Sequence, residues 1–210
     1  MQTVRQPPRK RRKEARPAEI TAAALKLFSE RGFAATRLDD VAEAAGVSKA
    51  TIYLYFESKE ELFKAIVRDL AVARIGAVET LVDTFEGPSA ELVRRLIGTL
   101  AGVVAVPELR AMIKVVISEA GNFPDIAAFY RDEVALRGLR NVARIIQRGI
   151  DRGEFLPCDP TSTAQSIIFP LLMNAIARET FGPMPEFEPT KVFPNHIEFV
   201  LRGLAANREA

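Results

Sequence analysis

The sequence is poor in the residues that build metal centres and disulfides. Its 210 residues include one cysteine (Cys158), one histidine (His196) and no tryptophan. One cysteine cannot form an internal disulfide, and a lone cysteine and histidine do not make the Cys/His clusters typical of zinc sites. We therefore expect no metal and no cofactor, and a reducing, cytoplasmic environment.

The sequence also lacks a long apolar run. Its longest uncharged stretch, residues 160–177, contains several polar side chains and Pro170. The apolar part is far shorter than the ~20 residues that a membrane-spanning helix needs. The basic N-terminus is not followed by the apolar segment of a secretory signal. We interpret the stretch as a buried helix and predict no contact with a membrane.

Motifs of enzymes are missing too. The sequence has no nucleophile elbow, phosphate-binding loop or dinucleotide fingerprint. Asp39 and Asp40 are adjacent, so on a helix they point about 100° apart and form a poor acid pair. His196 is most simply a surface or interface residue. We predict that the protein is not an enzyme.

Charge is unevenly distributed along the chain. The net charge is +2, but residues 1–16 carry seven basic side chains and one acidic one. A basic arm on a slightly acidic body suits a polyanionic partner. A disordered, solubilising tail explains the same pattern, and charge alone leaves both interpretations open.

The remaining sequence has the periodicity of helices. One helical face is formed by Ile20, Ala23, Ala24, Leu27 and Phe28. We predict that this helix begins at Pro17 and stops at Gly32, that a second opens at Thr36, and that a third opens at Ser48. Ser58 and Glu61 form a capping box that starts a fourth helix.

The helical pattern continues to about Ala205. Its breaks include Gly87–Ser89, Pro107, Gly121–Pro124 and Gly153, and Ser89 is predicted to be the N-cap residue of the helix that follows it. We predict an all-α fold with a basic disordered arm (1–16), a helix-turn-helix DNA-binding domain (17–66) and a helical effector-binding and dimerisation domain (67–210).

The stretch from Gly32 to Phe56 carries the functional signal. Two short helices joined by a turn at Gly46 have the spacing of a helix-turn-helix. A small core can form from Val41, Ala45, Val47, Ile52 and Phe56. Lys49, Thr51, Tyr53 and Tyr55 are left outside that core, where they suit phosphates and base edges. A generic helical hairpin with exposed tyrosines is the alternative.

This stretch resembles the TetR family (TetR/AcrR type) of bacterial transcriptional regulators. The matching residues are Gly32, Thr36, Asp40-Val41-Ala42, Ala45-Gly46-Val47-Ser48, Thr51, Tyr53, Tyr55-Phe56 and Ser58-Lys59-Glu60. The resemblance implies that Lys49 and Tyr53 approach bases. It also implies that Thr36, Ser48, Thr51, Tyr55 and Lys59 contact phosphates. Arg37 departs from the family pattern and is predicted to add a DNA contact, while Leu54 is apolar where the family often has a polar or aromatic residue.

The resemblance further implies a homodimer, a palindromic operator in double-stranded DNA, and repression that a small molecule relieves. Two apolar faces suit the dimer interface: Ile167, Ile168, Leu171, Leu172, Ala175 and Ile176, and Val192, Ile197, Val200, Leu201 and Leu204. Both faces can instead pack within one subunit.

The expected effector pocket is largely apolar. Its candidate lining is Met112, Ile113, Val116, Phe123, Phe129, Phe169 and Met173, with polar contacts from Asn174 and Arg178. Two other functions fit the sequence. One is an architectural DNA-binding protein without an effector, and the other is a helical module that uses Tyr53 and Tyr55 against protein.

Overall fold

The computed structural model describes residues 9–182 and 188–206, without the side chains of residues 9–16, 103, 104, 189 and 190. Within these ranges the chain consists of helices and short loops, and its one β-type pairing is an isolated bridge between Phe155 and Ala205. The predicted all-α fold class is confirmed. No helix of the described part is long and apolar enough to cross a membrane.

The helices group into two compact units, the first ending at Arg68 and the second beginning at Asp69. The first unit contains α1 (Arg9–Arg31), α2 (Leu38–Ala44), α3 (Lys49–Tyr55) and α4 (Lys59–Val67). The second contains α5 (Ala73–Thr84), α6 (Ser89–Ala105), α7 (Pro107–Glu119), α8 (Pro124–Tyr130), α9 (Leu136–Asp151), α10 (Pro160–Phe181) and α11 (Pro189–Leu204). Single turns of π-helix, Arg68–Val72 and Arg131–Ala135, precede α5 and α9.

The first helix begins earlier than the sequence predicts. It starts at Arg9 and includes Pro17, so residues 9–16 belong to α1 rather than to a disordered arm. Arg, Lys, Glu and Ala are good helix formers, and here they extend the helix through a proline that removes one backbone hydrogen bond. The rest of the predicted arm, residues 1–8, lies outside the described residues.

Three phenyl rings form the centre of the first unit. The ring centroids of Phe28 and Phe33 are 4.9 Å apart, and Phe63 lies 6.0 Å from Phe28 and 5.7 Å from Phe33. All three side chains are almost completely buried, and tilted aromatic packing at these distances is favourable. Since the rings come from α1, the α1–α2 loop and α4, this cluster fixes α4 against α1.

The helix ends of the first unit mostly follow the sequence. Gly32 and Gly46, which follow α1 and α2, have φ values of 86° and 66°, a conformation that suits glycine. The hydroxyl of Ser58 accepts a hydrogen bond from the backbone N–H of Glu61, as the predicted capping box requires. The predicted start of α2 is wrong by one residue. Arg37 is the N-cap residue, and its backbone N–H donates to the Asp40 carboxylate at 2.9 Å.

The core of the second unit lies between α6, α9, α10 and α11. Its fully or nearly fully buried members include Leu92, Ile97, Ile145, Ile146, Ala164, Ile167, Leu171, Ala175, Phe193 and Leu201. On another side, α9 packs against α5. Arg137 donates to both carboxylate oxygens of Glu79 across that contact, at 2.9 and 2.7 Å, and this hydrogen bonding lowers the pKa of Glu79.

A contact distant in sequence closes one end of this core. The Glu154 carboxylate accepts the backbone N–H of Ser89 at the start of α6. The N–H of Leu156 donates to the carbonyl of Leu204 at 2.7 Å. Ser89, whose hydroxyl was predicted to cap α6, is buried. The carboxylate of Glu154, 65 residues away, accepts the backbone N–H of Ser89 at this helix end. A carboxylate suits this position because the N-terminus of a helix carries partial positive charge.

Gly149 and Phe155 form the closest packing in this region. A Cβ atom added to Gly149 would lie 2.0 Å from Cδ2 and 2.7 Å from Cγ of the Phe155 ring. Phe155 is 4% exposed, so the ring has little room to move. The glycine in α9 is therefore required by packing.

We predict that Gly149→Ala destabilises the protein by about 1–3 kcal/mol, because overpacking outweighs the better helix propensity of alanine. The matched control is Gly98→Ala in α6, where the new Cβ would meet nothing within 4 Å. The control should gain up to about 1 kcal/mol. Urea unfolding of the three proteins measures both effects, and shifts of both variants in the same direction would contradict the packing argument.

Candidate nucleic-acid interface

The rotation of α3 is set by one buried side chain. Ile52 is fully buried, and Phe56 at the end of the helix is 9% exposed. Both lie on the side of α3 that faces the body of the first unit, where α2 packs against α3. The exposed part of the helix carries Tyr53 and Leu54, which are 54% and 73% exposed. A helix with this division offers one continuous outer surface.

The N-terminus of α3 combines two hydroxyl groups. The Ser48 hydroxyl accepts a hydrogen bond from the backbone N–H of Thr51 at 3.1 Å, which caps the helix. The two hydroxyl oxygens of Ser48 and Thr51 are 2.8 Å apart, so one donates to the other. Ser48 is exposed and Thr51 half-buried. Hydroxyls at an exposed helix N-terminus suit a phosphate oxygen.

Lys49 at the start of α3 is paired with a carboxylate of α2. Its ammonium lies 2.5 Å from Asp39, and the two side chains are 70% and 41% exposed. The hydrogen bond to Asp39 raises the pKa of Lys49 above its ordinary value. An exposed pair of this kind contributes little to stability. Its effect is to hold the ammonium against the first turn of α2.

Six of the eight sequence-predicted DNA contacts therefore lie at the surface of the helix-turn-helix. Ser48, Lys49, Thr51, Tyr53 and Tyr55 share α3 or its cap, with Tyr55 half-buried, and Arg37 is exposed at the start of α2. The structure adds Asp39 and Leu54 to this surface. Sequence reasoning did not place Asp39 at the interface, and it noted Leu54 only as a departure from the family pattern.

Thr36 lies elsewhere than the sequence predicts. Its side chain is 1% exposed, and its hydroxyl donates to the carbonyl oxygen of Gly32 at 2.8 Å. The hydroxyl closes the α1–α2 loop, so it cannot contact a phosphate in this geometry. We correct the prediction and remove Thr36 from the candidate interface.

Lys59 also makes its hydrogen bonds within the protein. Its ammonium donates to the carbonyl oxygens of Phe33, Ala34 and Thr36 at 2.9, 3.0 and 3.4 Å. The same ammonium lies 4.7 Å from the centroid of the Phe33 ring, a cation–π distance. An ammonium has three N–H donors. The group predicted to contact phosphate therefore joins α4 to the α1–α2 loop.

We predict that Lys59→Met destabilises the first unit by about 1–3 kcal/mol, because three carbonyl oxygens lose the hydrogen bonds that the ammonium donates. Exposed Lys26 on α1 supplies the control, and Lys26→Met should change stability by less than about 0.5 kcal/mol. Hydrogen exchange of peptides spanning residues 28–40 measures the effect. Unchanged exchange together with weakened DNA binding would restore the phosphate contact that the sequence predicts.

The residues of the predicted effector pocket are divided between core and surface. Met112, Ile113 and Val116 of α7 are buried, and α10 packs against α7. Asn174 of α10 is 5% exposed, whereas Phe123, Phe129 and Arg178 are half-buried. These positions are compatible with a site between α7 and α10.

Phe169 and Met173 contradict the pocket prediction. They are 53% and 62% exposed, on the opposite face of α10 from the core residues Ile167 and Leu171. The spacing of four residues places both on one outward-facing stripe. We correct the prediction, since neither lines the interior of this chain.

Two features of the second unit were missed. A groove of about 430 Å³ is lined by Arg74, Ala77, Val78, Leu81, Thr99, Gly102 and Val106, so it lies between α5 and α6. Asn141 of α9 is 3% exposed, and its amide nitrogen has no hydrogen-bond partner among the described residues. Its position among apolar residues of an amphipathic helix was the available sequence signal, because a polar residue buried in a core usually needs a partner.

The faces predicted for the dimer are mostly occupied within the subunit. Ile167, Ile168, Leu171, Ala175, Leu201 and Leu204 are buried in the core of the second unit, and Leu172, Val192, Ile197 and Val200 pack against it. The alternative left open by the sequence therefore holds for these residues. The large apolar side chains that α10 and α11 expose are different ones: Phe169, Met173, Phe181 and Phe199.

Comparisons with known proteins agree with this architecture. Residues 20–66 match the family described as bacterial regulatory proteins, tetR family. Residues 86–188 match the tetracyclin repressor-like, C-terminal domain. The first match covers the helix-turn-helix, and the second covers most of the second unit.

Individual relatives extend over much of the chain. An uncharacterised HTH-type transcriptional regulator of Bacillus subtilis, YfiR, is 29% identical over 73% of this chain and 75% of its own length. The HTH-type transcriptional repressor KstR2 of Mycolicibacterium smegmatis is 27% identical over 66% of this chain and 67% of its own length. A solved structure, the SmeT–triclosan complex, superposes with a TM-score of 0.78 at 20% identity, covering 91% of this chain and 92% of that one.

Proposed function

Because the chain belongs to the TetR family of helix-turn-helix transcription regulators, we propose that it is a repressor that binds a palindromic operator as a homodimer and leaves it when a small molecule binds. Family membership makes the protein a DNA-binding regulator and not an enzyme. The repressor KstR2 among its relatives supports the direction of regulation. A regulator of bacterial genes acts on DNA in the cytoplasm, which is where we propose that this protein works.

The observation that carries the proposal is the outer surface of α3. A helix that buries one side chain and exposes a lysine, a tyrosine and a capped N-terminus can enter the major groove, which admits one α-helix. In this arrangement Lys49 and Tyr53 reach base edges. Ser48, Thr51, Tyr55 and Arg37 lie on either side and contact the phosphate backbone.

The pairing of Lys49 with Asp39 refines these roles. Asp39 holds the ammonium in place before DNA binds, so the lysine loses less freedom on binding. The carboxylate also places a negative charge near the DNA. Phosphates in the wrong register are repelled by it, which favours specific over non-specific binding.

We predict that selection from a random pool of DNA at near-physiological salt enriches a palindrome. Tyr53→Ala should weaken binding to it by about five- to 150-fold, the loss of about 1–3 kcal/mol expected for a base contact. Lys26→Ala, on exposed α1 surface, is the control and should change affinity little. Salt-sensitive binding without an enriched sequence would instead indicate an architectural DNA-binding protein.

Dimerisation is proposed on different residues from those that the sequence indicated. Phe169 and Met173 of α10 and Phe199 of α11 are 53%, 62% and 78% exposed. Large apolar side chains exposed on two long helices favour an interface between copies of the chain. A two-fold symmetric dimer also matches a palindrome, because each subunit reads one half-site.

We predict that the purified protein has twice the mass of the chain in sedimentation, and that Met173→Glu combined with Phe199→Glu produces helical monomers with weak operator binding. Two buried charges at an interface cost several kcal/mol when unpaired. Ile117→Glu on α7, also at a highly exposed position (55%), is the control and should remain dimeric. A double variant that is still dimeric would place the interface on another surface.

The effector is proposed to be a small, largely apolar molecule held in the second unit. The buried Met112, Ile113 and Val116 offer alkyl contacts, and Asn174 and Arg178 offer polar ones. Asn141 is a further polar candidate, because its buried amide nitrogen can donate to a ligand. The SmeT–triclosan complex is a precedent, within this fold, for binding an aromatic small molecule.

Release from DNA is proposed to be a population shift. An effector that binds more tightly to the conformation with low DNA affinity makes the DNA-binding conformation rarer. Residues 62–84 are proposed to transmit the change between the effector site and the DNA-binding helices. The chain is helical across this segment, with the π-helical turn Arg68–Val72 between α4 and α5.

A further inference from the structure

The outermost line of α3 is apolar. At 100° per residue, Ala50 and Leu54 each lie about 160° around the helix from the buried Ile52, one on either side of the point farthest from the core. Ala50 is exposed and Leu54 is 73% exposed. Lys49 and Tyr53 flank this line on one side, and Thr51 and Tyr55 flank it on the other.

Folding does not account for Leu54 at this position. Among the described residues of the first unit, the large hydrophobic side chains that are highly exposed are Tyr53 and Leu54, and both belong to α3. A single exposed leucine is ordinary on a protein surface. This one occupies one of the two outermost positions of the helix that would enter the groove, where its side chain would face the groove floor.

The floor of the major groove offers one apolar group. Base edges present hydrogen-bond donors and acceptors at every pair, but only thymine adds a C5-methyl group. Ala50, with its single methyl group, allows the helix backbone to approach closely, and Leu54 extends one turn further along the same line. We propose that Leu54 reads a thymine methyl group in each half-site and is a specificity-determining residue of this protein.

The inference rests on the proposed function, since it needs α3 to enter the major groove. It differs from that function in what it says of the operator. Hydrogen bonds from Lys49 and Tyr53 do not require a methyl group, whereas Leu54 does. Removal of a methyl group from the DNA therefore tests the Leu54 contact without disturbing the hydrogen bonds of Lys49 and Tyr53.

The test uses the full-length protein and its selected operator, with each thymine replaced in turn by uracil, which lacks only the C5-methyl group. At one thymine per half-site we expect binding of the unmodified protein to weaken about four-fold, the effect of one lost methyl contact. Leu54→Ala should bind the unmodified operator more weakly and show no further loss on the uracil substitution. The fold of Leu54→Ala is checked by urea unfolding, and an exposed side chain should leave stability unchanged.

Tyr53→Ala is the matched control on the same helix. It should lose affinity and yet keep the difference between thymine and uracil. If uracil has no effect on the unmodified protein, or the same effect on Leu54→Ala, the inference is overturned while the palindrome leaves the proposed function standing. The inference is also overturned, and the proposed function stands, if Leu54→Ala binds the operator normally and instead loses a protein partner. If no sequence is enriched, both the function and the inference are overturned.

Discussion

The contact between Lys59 and the α1–α2 loop is the interaction on which the arrangement of the first unit depends. The backbone of residues 33–36 turns sharply, and its carbonyl oxygens have no helix in which to find donors. One ammonium supplies three N–H groups to three of these oxygens and lies against the Phe33 ring. Together with the cluster of Phe28, Phe33 and Phe63, it ties the start of α4 to the loop that leads into α2. A residue that the sequence predicts to contact DNA thus positions the helices that carry the proposed DNA contacts.

The orientation of α3 depends on these contacts and on one buried side chain. The helix has seven residues and buries Ile52, so one side chain decides which residues face outward. Lys49 and Tyr53 provide a charge and a phenol, and Ala50 and Leu54 provide an apolar line between the polar flanks. Hydrogen bonding and methyl contact are complementary ways of reading a base pair. A surface that combines them can distinguish sequences that either alone would accept.

The second unit shows how core and surface divide a single helix. Along α10, Ile167, Leu171 and Ala175 pack into the core while Phe169 and Met173 face outward. Both sets are apolar, so composition does not separate them, and the sequence assigned the first set to the dimer and the second to the pocket. The structure instead places the first set in the core of the second unit and the second set on its surface. Glu154 capping α6 and Phe155 packing on Gly149 show a similar dependence on residues far apart in the chain or in different elements.

The sequence by itself determined the all-α class, the helix-turn-helix and most helix ends, because these depend on local signals. A helical period, a capping serine and a glycine with positive φ act within a few residues of one another, as at Ser58 and Gly46. The tertiary structure decided which way side chains face and which partners they take. Thr36 and Lys59 turn inward because carbonyl oxygens of the α1–α2 loop need donors, and Leu54 faces outward because Ile52 occupies the core. Spacing along the chain cannot reveal such choices, since they follow from contacts between segments that meet only after folding.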